Sequence, residues 1–245
     1  MQALVFAAGL GTRLKPLTDT LPKALVNVTD SRTGESRPMI DWLLPKLYAQ
    51  GFDRIVINVH HFAPMLVDHV ERYLDAHPDW NLQVTFSDES AQLLNTGGGI
   101  KKAARLMDPS LPFLVHNVDI VSNLDLQAFY RAHRPSSLAT LLVSERKTAR
   151  YFLFDAQNRL VGWTNLETGQ VRSPYPNLDL SRCQKKAFAG THVISPAIVQ
   201  AMENWPDVFP IVDFYLETAA RAEIVGVEVE GLQIKDMGKI NELSF

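Results

Sequence analysis

The stretch LVFAAGLGTRLKPLTDTLPKAL, Leu4 to Leu25, decides the fold. An apolar run, ALVFAA (3–8), breaks directly into a segment carrying Gly9 and Gly11, followed by Arg13 and Lys23 with only Asp19 as a carboxylate between them. In an open parallel sheet, ligands bind beyond the carboxyl ends of the strands. Small residues there let a phosphate approach the main chain, and successive N–H groups can hold its oxygens as a concave nest. Ala7, Ala8, Gly9, Leu10, Gly11, Thr12 and Arg13 occupy that position. Arg13 offers a planar fork for phosphate and Lys23 a mobile point charge. Two other glycine-loop patterns are not met: Leu14 stands where a dinucleotide loop needs its third glycine, and no G-x-x-x-x-G-K-[ST] occurs.

Working outward, short runs rich in Val, Ile and Phe alternate with amphipathic stretches, the pattern of strands and covering helices. Strands are expected at 3–8, 54–60, 82–87 and 112–118, with helices at 37–51, 63–77 and 98–107 between them. Pro38 suits a first helical turn, Gly51 a C-terminal cap, and Pro45 a kink. This β-α-β-α-β-α-β order predicts an α/β fold with a mostly parallel, Rossmann-like twisted sheet covered by helices on both faces. Beyond residue 136 the pattern changes to strands at 137–145, 151–155, 159–165 and 186–195, then helices near 196–203 and 210–222, then strands at 224–231 and 232–236. We expect one domain, with a nucleotide half (about 1–136) and a substrate half (about 137–245).

With 245 residues, 46% of them hydrophobic, the chain can bury a full core. A net charge of -3 gives no global reason to expect nucleic acid or an anionic membrane as partner, so a basic site must be local. The single cysteine, Cys183, excludes an internal disulfide framework. The start, MQALVFAAGLGTR, has too short an apolar run and no basic leader for a secretory signal, which leads us to expect a cytoplasmic protein. The adjacent His60 and His61 point to opposite faces if extended, and no metal role is expected of them. Lys101 and Lys102 are read as a solvated helix face.

The string from Gly9 to Lys23 closely resembles the G-x-G-T-R-x-x-P-x-T-x-x-x-P-K signature of the sugar-1-phosphate nucleotidyltransferases. LNTGGGI (94–100) resembles the second glycine-rich loop of that family, in the version found in N-acetylmuramate 1-phosphate uridylyltransferases. VHNVDI (115–120) is similar to its strand ending in Asn-Gly-Asp, FAGTHVISP (188–196) to its sugar-side strand, and IKDMGK (234–239) to its late Asp-x-Gly-Thr. The resemblance spans nearly the whole chain and implies a nucleotide-diphospho-sugar transferase fold of the GT-A-like type. Three departures stand out. Val118 replaces a glycine, Lys239 replaces a threonine, and GWTN (162–165) stands where a Glu-Lys-Pro segment is frequent.

By that resemblance, the chain joins a nucleoside triphosphate to a sugar 1-phosphate and releases pyrophosphate, with Mg2+ as cofactor. Arg13, Lys23 and Asp119 are the implied catalytic residues. Residues 7–13 take the triphosphate, while Glu89, Asn95, Thr96, Gly97 and Gly98 lie beside the base. Asn117, Asn165, Gly190 and Thr191 are the sugar-side candidates, and Asp119 and Asp236 the metal pair. The muramate-type loop favours UTP, whereas a Glu89 carboxylate would match the two donors of guanine and favour GTP. A guanylyltransferase acting on mannose or heptose 1-phosphate, or a nucleotide-sugar-binding regulatory protein without turnover, are the alternatives. Oligomeric state stays open between monomer and homodimer.

Overall fold

The computed structural model describes residues 1–245. Its parallel core is built from β1 (Gln2–Phe6), with β4 (Arg54–Val59) on one side and β6 (Phe113–Asn117) on the other, and β5 (Gln83–Asp88) outside β4. A small ribbon, β2 (Asn27–Thr29) with β3 (Ser36–Pro38), follows the first loop. The connecting helices are α1 (Met39–Ala49), α2 (Ala63–Asp75) and α3 (Asn95–Ala103). Helix α1 runs through Pro45.

The second half makes the sheet mixed. After β7 (Ile120–Ser122) and α4 (Leu126–Arg131) come β8 (Ala139–Ser144), β9 (Arg150–Phe154), β10 (Leu160–Asn165) and β11 (Val171–Arg172). The long β12 (Gln184–Ile194) joins the halves, running antiparallel to β6, β8 and β9. Two helices, α5 (Ile198–Ala201) and α6 (Ile211–Thr218), precede β13 (Ile224–Glu228), which pairs in parallel with β8. Finally β14 (Ile234–Asp236) pairs antiparallel with β7.

Alternate residues of one strand face different cores. Ala3 and Val5 join one apolar cluster with Ile55 and Ile57, while Leu4 and Val56 join the other. Burial on both faces explains why these strands read as continuous apolar runs rather than alternating ones. No helix is long and apolar enough to cross a membrane.

Two expectations change. Helix α3 begins at Asn95, not 98, so the glycine triplet is its first turn. Lys101 is not a solvated face: its side chain is 13% exposed and its Nζ donates to the Trp205 carbonyl.

Candidate active site

The carboxyl ends of β1 and β6 open onto a cavity of about 530 Å³. Of the residues singled out from sequence, Ala8, Gly9, Arg13, Lys23, Glu89, Asn95, Thr96, Asn117, Asp119 and Asp236 line it. After β1 the chain enters a short 3-10 turn, Thr12–Leu14, through Gly11 at φ 63°. That left-handed conformation favours glycine, and a Cβ there would also lie 2.7 Å from Thr18 Cγ2. The Gly9, Leu10 and Gly11 N–H groups donate to no acceptor within the protein, which leaves an open cradle for an anion. The Ala7 and Ala8 amides are not part of that supply, because both donate to Asn58 Oδ1, at 2.7 and 3.1 Å.

Four charged side chains meet beside the cradle. The β7–β14 ribbon sets Asp236 opposite Ile120, and the Met237 N–H donates to the Asp119 carbonyl at 2.8 Å. This pairing carries the two aspartates together across the chain. Lys23 Nζ is paired with Asp119 Oδ2, and Arg13 Nη1 lies 3.3 Å from Asp236 Oδ2. The group surrounds Gly238. A Cβ at that position would fall 2.5 Å from Asp119 Oδ2, 2.6 Å from Arg13 Nη2 and 2.7 Å from Asp236 Oδ1. Burial by itself would raise the Asp236 carboxyl, but the Gly238 N–H and the charges of Arg13 and Lys23 outweigh it and hold it below the usual carboxylate range.

The two carboxylates fit a divalent cation. Both carboxylates flank Gly238 on the cavity wall, close enough to share one ion, and magnesium needs few protein oxygens when phosphate and water complete its shell. No third carboxylate, histidine or cysteine joins them.

Other candidates fall outside the cavity wall. Gly97 and Gly98 are buried, their amides donate to the Phe209 carbonyl at 2.8 and 3.2 Å, and they pack behind the pocket. Leu10 and Thr12 belong to the cradle's outer turn, and Leu10 is exposed. Gly190 lies against the Asn117 side chain, and Thr191 is buried beside it. Asn165 is turned into its own hairpin, its Oδ1 accepting from the Glu167 N–H at 3.0 Å. Lys239 pairs with Glu242 at 2.9 Å, and Val118 is buried in the core. The sequence reading missed Asn58, Leu93 and Val208 in the wall, and Gly238 at the hub. A lone amide near the end of the apolar run RIVINVH was the available signal for Asn58.

The profile of the Nucleotidyl transferase family matches residues 2–153. N-acetylmuramate alpha-1-phosphate uridylyltransferase of Caulobacter vibrioides is 32% identical over 236 residues, 94% of this chain and 89% of that protein. Mannose-1-phosphate guanyltransferase of Schizosaccharomyces pombe is 29% identical over 221 residues, covering 86% of this chain and 55% of the yeast protein. Among solved structures, UDP-glucose pyrophosphorylase from Acinetobacter baumanii superposes with a TM-score of 0.72 over 99% of this chain and 90% of that one, at 17% identity, a likeness of fold. With a match over more than half of its length and a relative covered nearly end to end, the chain belongs to the nucleotidyl transferase family.

Proposed function

We propose that this nucleotidyltransferase transfers a uridylyl group from UTP to a sugar 1-phosphate, with N-acetylmuramate 1-phosphate as acceptor, releasing pyrophosphate. The nearly full-length likeness to the Caulobacter protein of that name supports both the base and the sugar. The observation that carries the reading is the convergence of Arg13, Asp119 and Asp236 on Gly238, with Lys23 paired to Asp119, beside three unused amides.

In the reaction, a phosphate oxygen of the sugar attacks the α-phosphorus in line. One P–O bond forms as the bond to the β-phosphate bridge breaks, and pyrophosphate leaves with its electron pair. No protein nucleophile or base is needed, so the residues act by position and charge. The Gly9–Gly11 amides and Arg13 hold the β- and γ-phosphates, and Arg13 offsets charge on the leaving group. Lys23 is shared between the α-phosphate and the incoming sugar phosphate and reduces their repulsion. A magnesium ion held by Asp119 and Asp236 would supply further neutralisation of phosphate oxygens when bound. Dependence on a nucleoside triphosphate fits the cytoplasmic location expected from the sequence.

Pyrophosphate release with magnesium, each common triphosphate and a panel of sugar 1-phosphates tests the proposal. Turnover is expected with UTP and N-acetylmuramate 1-phosphate. Preference for GTP with mannose 1-phosphate would move the reading to the guanylyl branch, and silence across the panel would overturn it. Arg13 is 54% exposed, so Arg13→Gln should leave the fold unchanged. The same variant is expected to cut kcat/KM by roughly 100-fold.

A further inference from the structure

Asn58 is a buried amide at the carboxyl end of β4, and its orientation is fixed by its partners. Its Oδ1 faces the two N–H donors of Ala7 and Ala8, and its Nδ2 donates to Glu89 Oε1 at 2.8 Å. A flipped amide would set NH2 against two donors. Glu89 is 2% exposed, with one hydrogen bond on each carboxylate oxygen: Oε1 takes Asn58 Nδ2, Oε2 accepts from the Leu94 N–H at 3.0 Å, and the backbone carbonyl meets His60 Nδ1 at 2.7 Å. One chain of hydrogen bonds therefore runs from the phosphate cradle through Asn58 and Glu89 to the entry of α3. Gly99 makes room for it, since a Cβ there would lie 3.0 Å from Glu89 Oε1 and 3.3 Å from Asn58 Nδ2.

We propose that Asn58 and Glu89 form a positioning pair that fixes the separation between the triphosphate cradle and the base-side helix, and that the Glu89 carboxylate does not read the base. The inference rests on the nucleotidyl-transfer reading of the same cavity. A carboxylate pairing with guanine must present its oxygens to the ligand. Here Oε1 is turned to Asn58 Nδ2 and Oε2 to the Leu94 N–H, the residue is 2% exposed, and swinging both oxygens out to a ligand would leave the buried Asn58 amide without its acceptor. The side of the cavity left to contact the base is formed by Leu93, Asn95 and Thr96.

An exchange of the pair tests this. Asn58→Asp alone sets two carboxylates against each other and is expected to lower kcat/KM for UTP and GTP by the same factor, roughly 10- to 100-fold. Combining Asn58→Asp with Glu89→Gln restores every bond, with donor and acceptor reversed only between the two side chains. The introduced aspartate accepts from Ala7, Ala8 and the new glutamine amide, whose oxygen accepts from Leu94. The double variant should recover to within about threefold of the parent, with an unchanged UTP-to-GTP ratio. Persistence of the full defect in the double variant overturns the proposal, as does a tenfold or larger change in base preference on Glu89→Gln alone. Calorimetric titration with UTP and GTP, without sugar phosphate, reads the same pattern independently of turnover. Binding that follows the exchange in a protein that turns over nothing would sink the enzymatic reading and leave the pair supported. A parent protein that binds neither triphosphate would overturn both.

Discussion

At the scale of single residues, the site is defined by an absence of volume. Gly238 has a carboxylate oxygen, a guanidinium nitrogen and a second carboxylate oxygen all within 2.7 Å of where a Cβ would stand. Those atoms are the tips of side chains rather than backbone, so they can swing away. Gly238→Ala is therefore expected to fold, with a change in stability below about 1 kcal/mol, while displacing the charges from their common point. The expected result is a loss of kcat/KM of at least roughly 100-fold, measured beside an unfolding curve that barely moves. Parent-like turnover would show that the convergence at Gly238 has no catalytic part. The charged members of this group were legible in sequence because phosphate chemistry demands cations and carboxylates at strand ends. Gly238 was visible only as the glycine of IKDMGK, with no role, since it acts by leaving room, and Asn58 was not visible, since it acts through bonds to main-chain groups far along the chain.

At the scale of elements, the contact between α3 and the segment 205–209 shapes the cavity wall at Asn95, Thr96 and Val208. Gly98 permits it: a Cβ there would lie 1.9 Å from the Asp207 carbonyl oxygen, a backbone atom that cannot rotate away. Gly97 meets Phe209 in the same manner, with its Cβ position 2.3 Å from the ring, and Lys101 closes the far end by donating to Trp205. Gly98→Ala should thus cost about 3 kcal/mol and lower the melting temperature by roughly 5–10 °C. A thermal melt checks this, and a change under one degree would contradict the tight approach. The sequence reading began this helix at Gly98 and left Asn95 to Gly97 in a loop, because glycines signal a loop when judged locally and a helix start only when the opposing segment is known. By contrast, the parallel strands were placed to within two residues: double-sided burial leaves β1, β4 and β6 as apolar runs with visible ends, while β5, at the sheet edge, alternates exposed and part-buried residues. The β7–β14 ribbon escaped notice as a pair: three residues each, and 116 positions separating Ile120 from Asp236, give no local signal of partnership.

At the scale of the whole molecule, the sheet divides two cores, and each buries a histidine. His116 stands on β6, and His192 on β12 stacks on Phe188 and meets Tyr215 edge-on. Burial lowers His116 to about 4 and His192 to about 3, from an ordinary value near 6.5. Both folded values lie below the unfolded one, so the stability these groups contribute is fully present above about pH 6.5. Below that pH the unfolded chain binds protons that the native state refuses. Stability then falls by about 1.4 kcal/mol per pH unit for each histidine, until the folded values are reached. Between pH 6 and 5 the carboxylates are still largely ionised, so the slope there comes from the buried histidines, with a further share from His133, which burial also lowers. Neither ring nitrogen of His192 has a hydrogen-bond partner, so nothing polar is lost on replacing it with an apolar ring. His192→Phe is therefore expected to stabilise the protein by about 1 kcal/mol at pH 7 and to remove roughly a third to a half of the slope between pH 6 and 5, His116 and His133 supplying the rest. Urea denaturation across that interval measures both quantities. Equal slopes in parent and variant would mean that the second core does not exclude the proton, and that its packing is looser than the stacked and edge-on rings require.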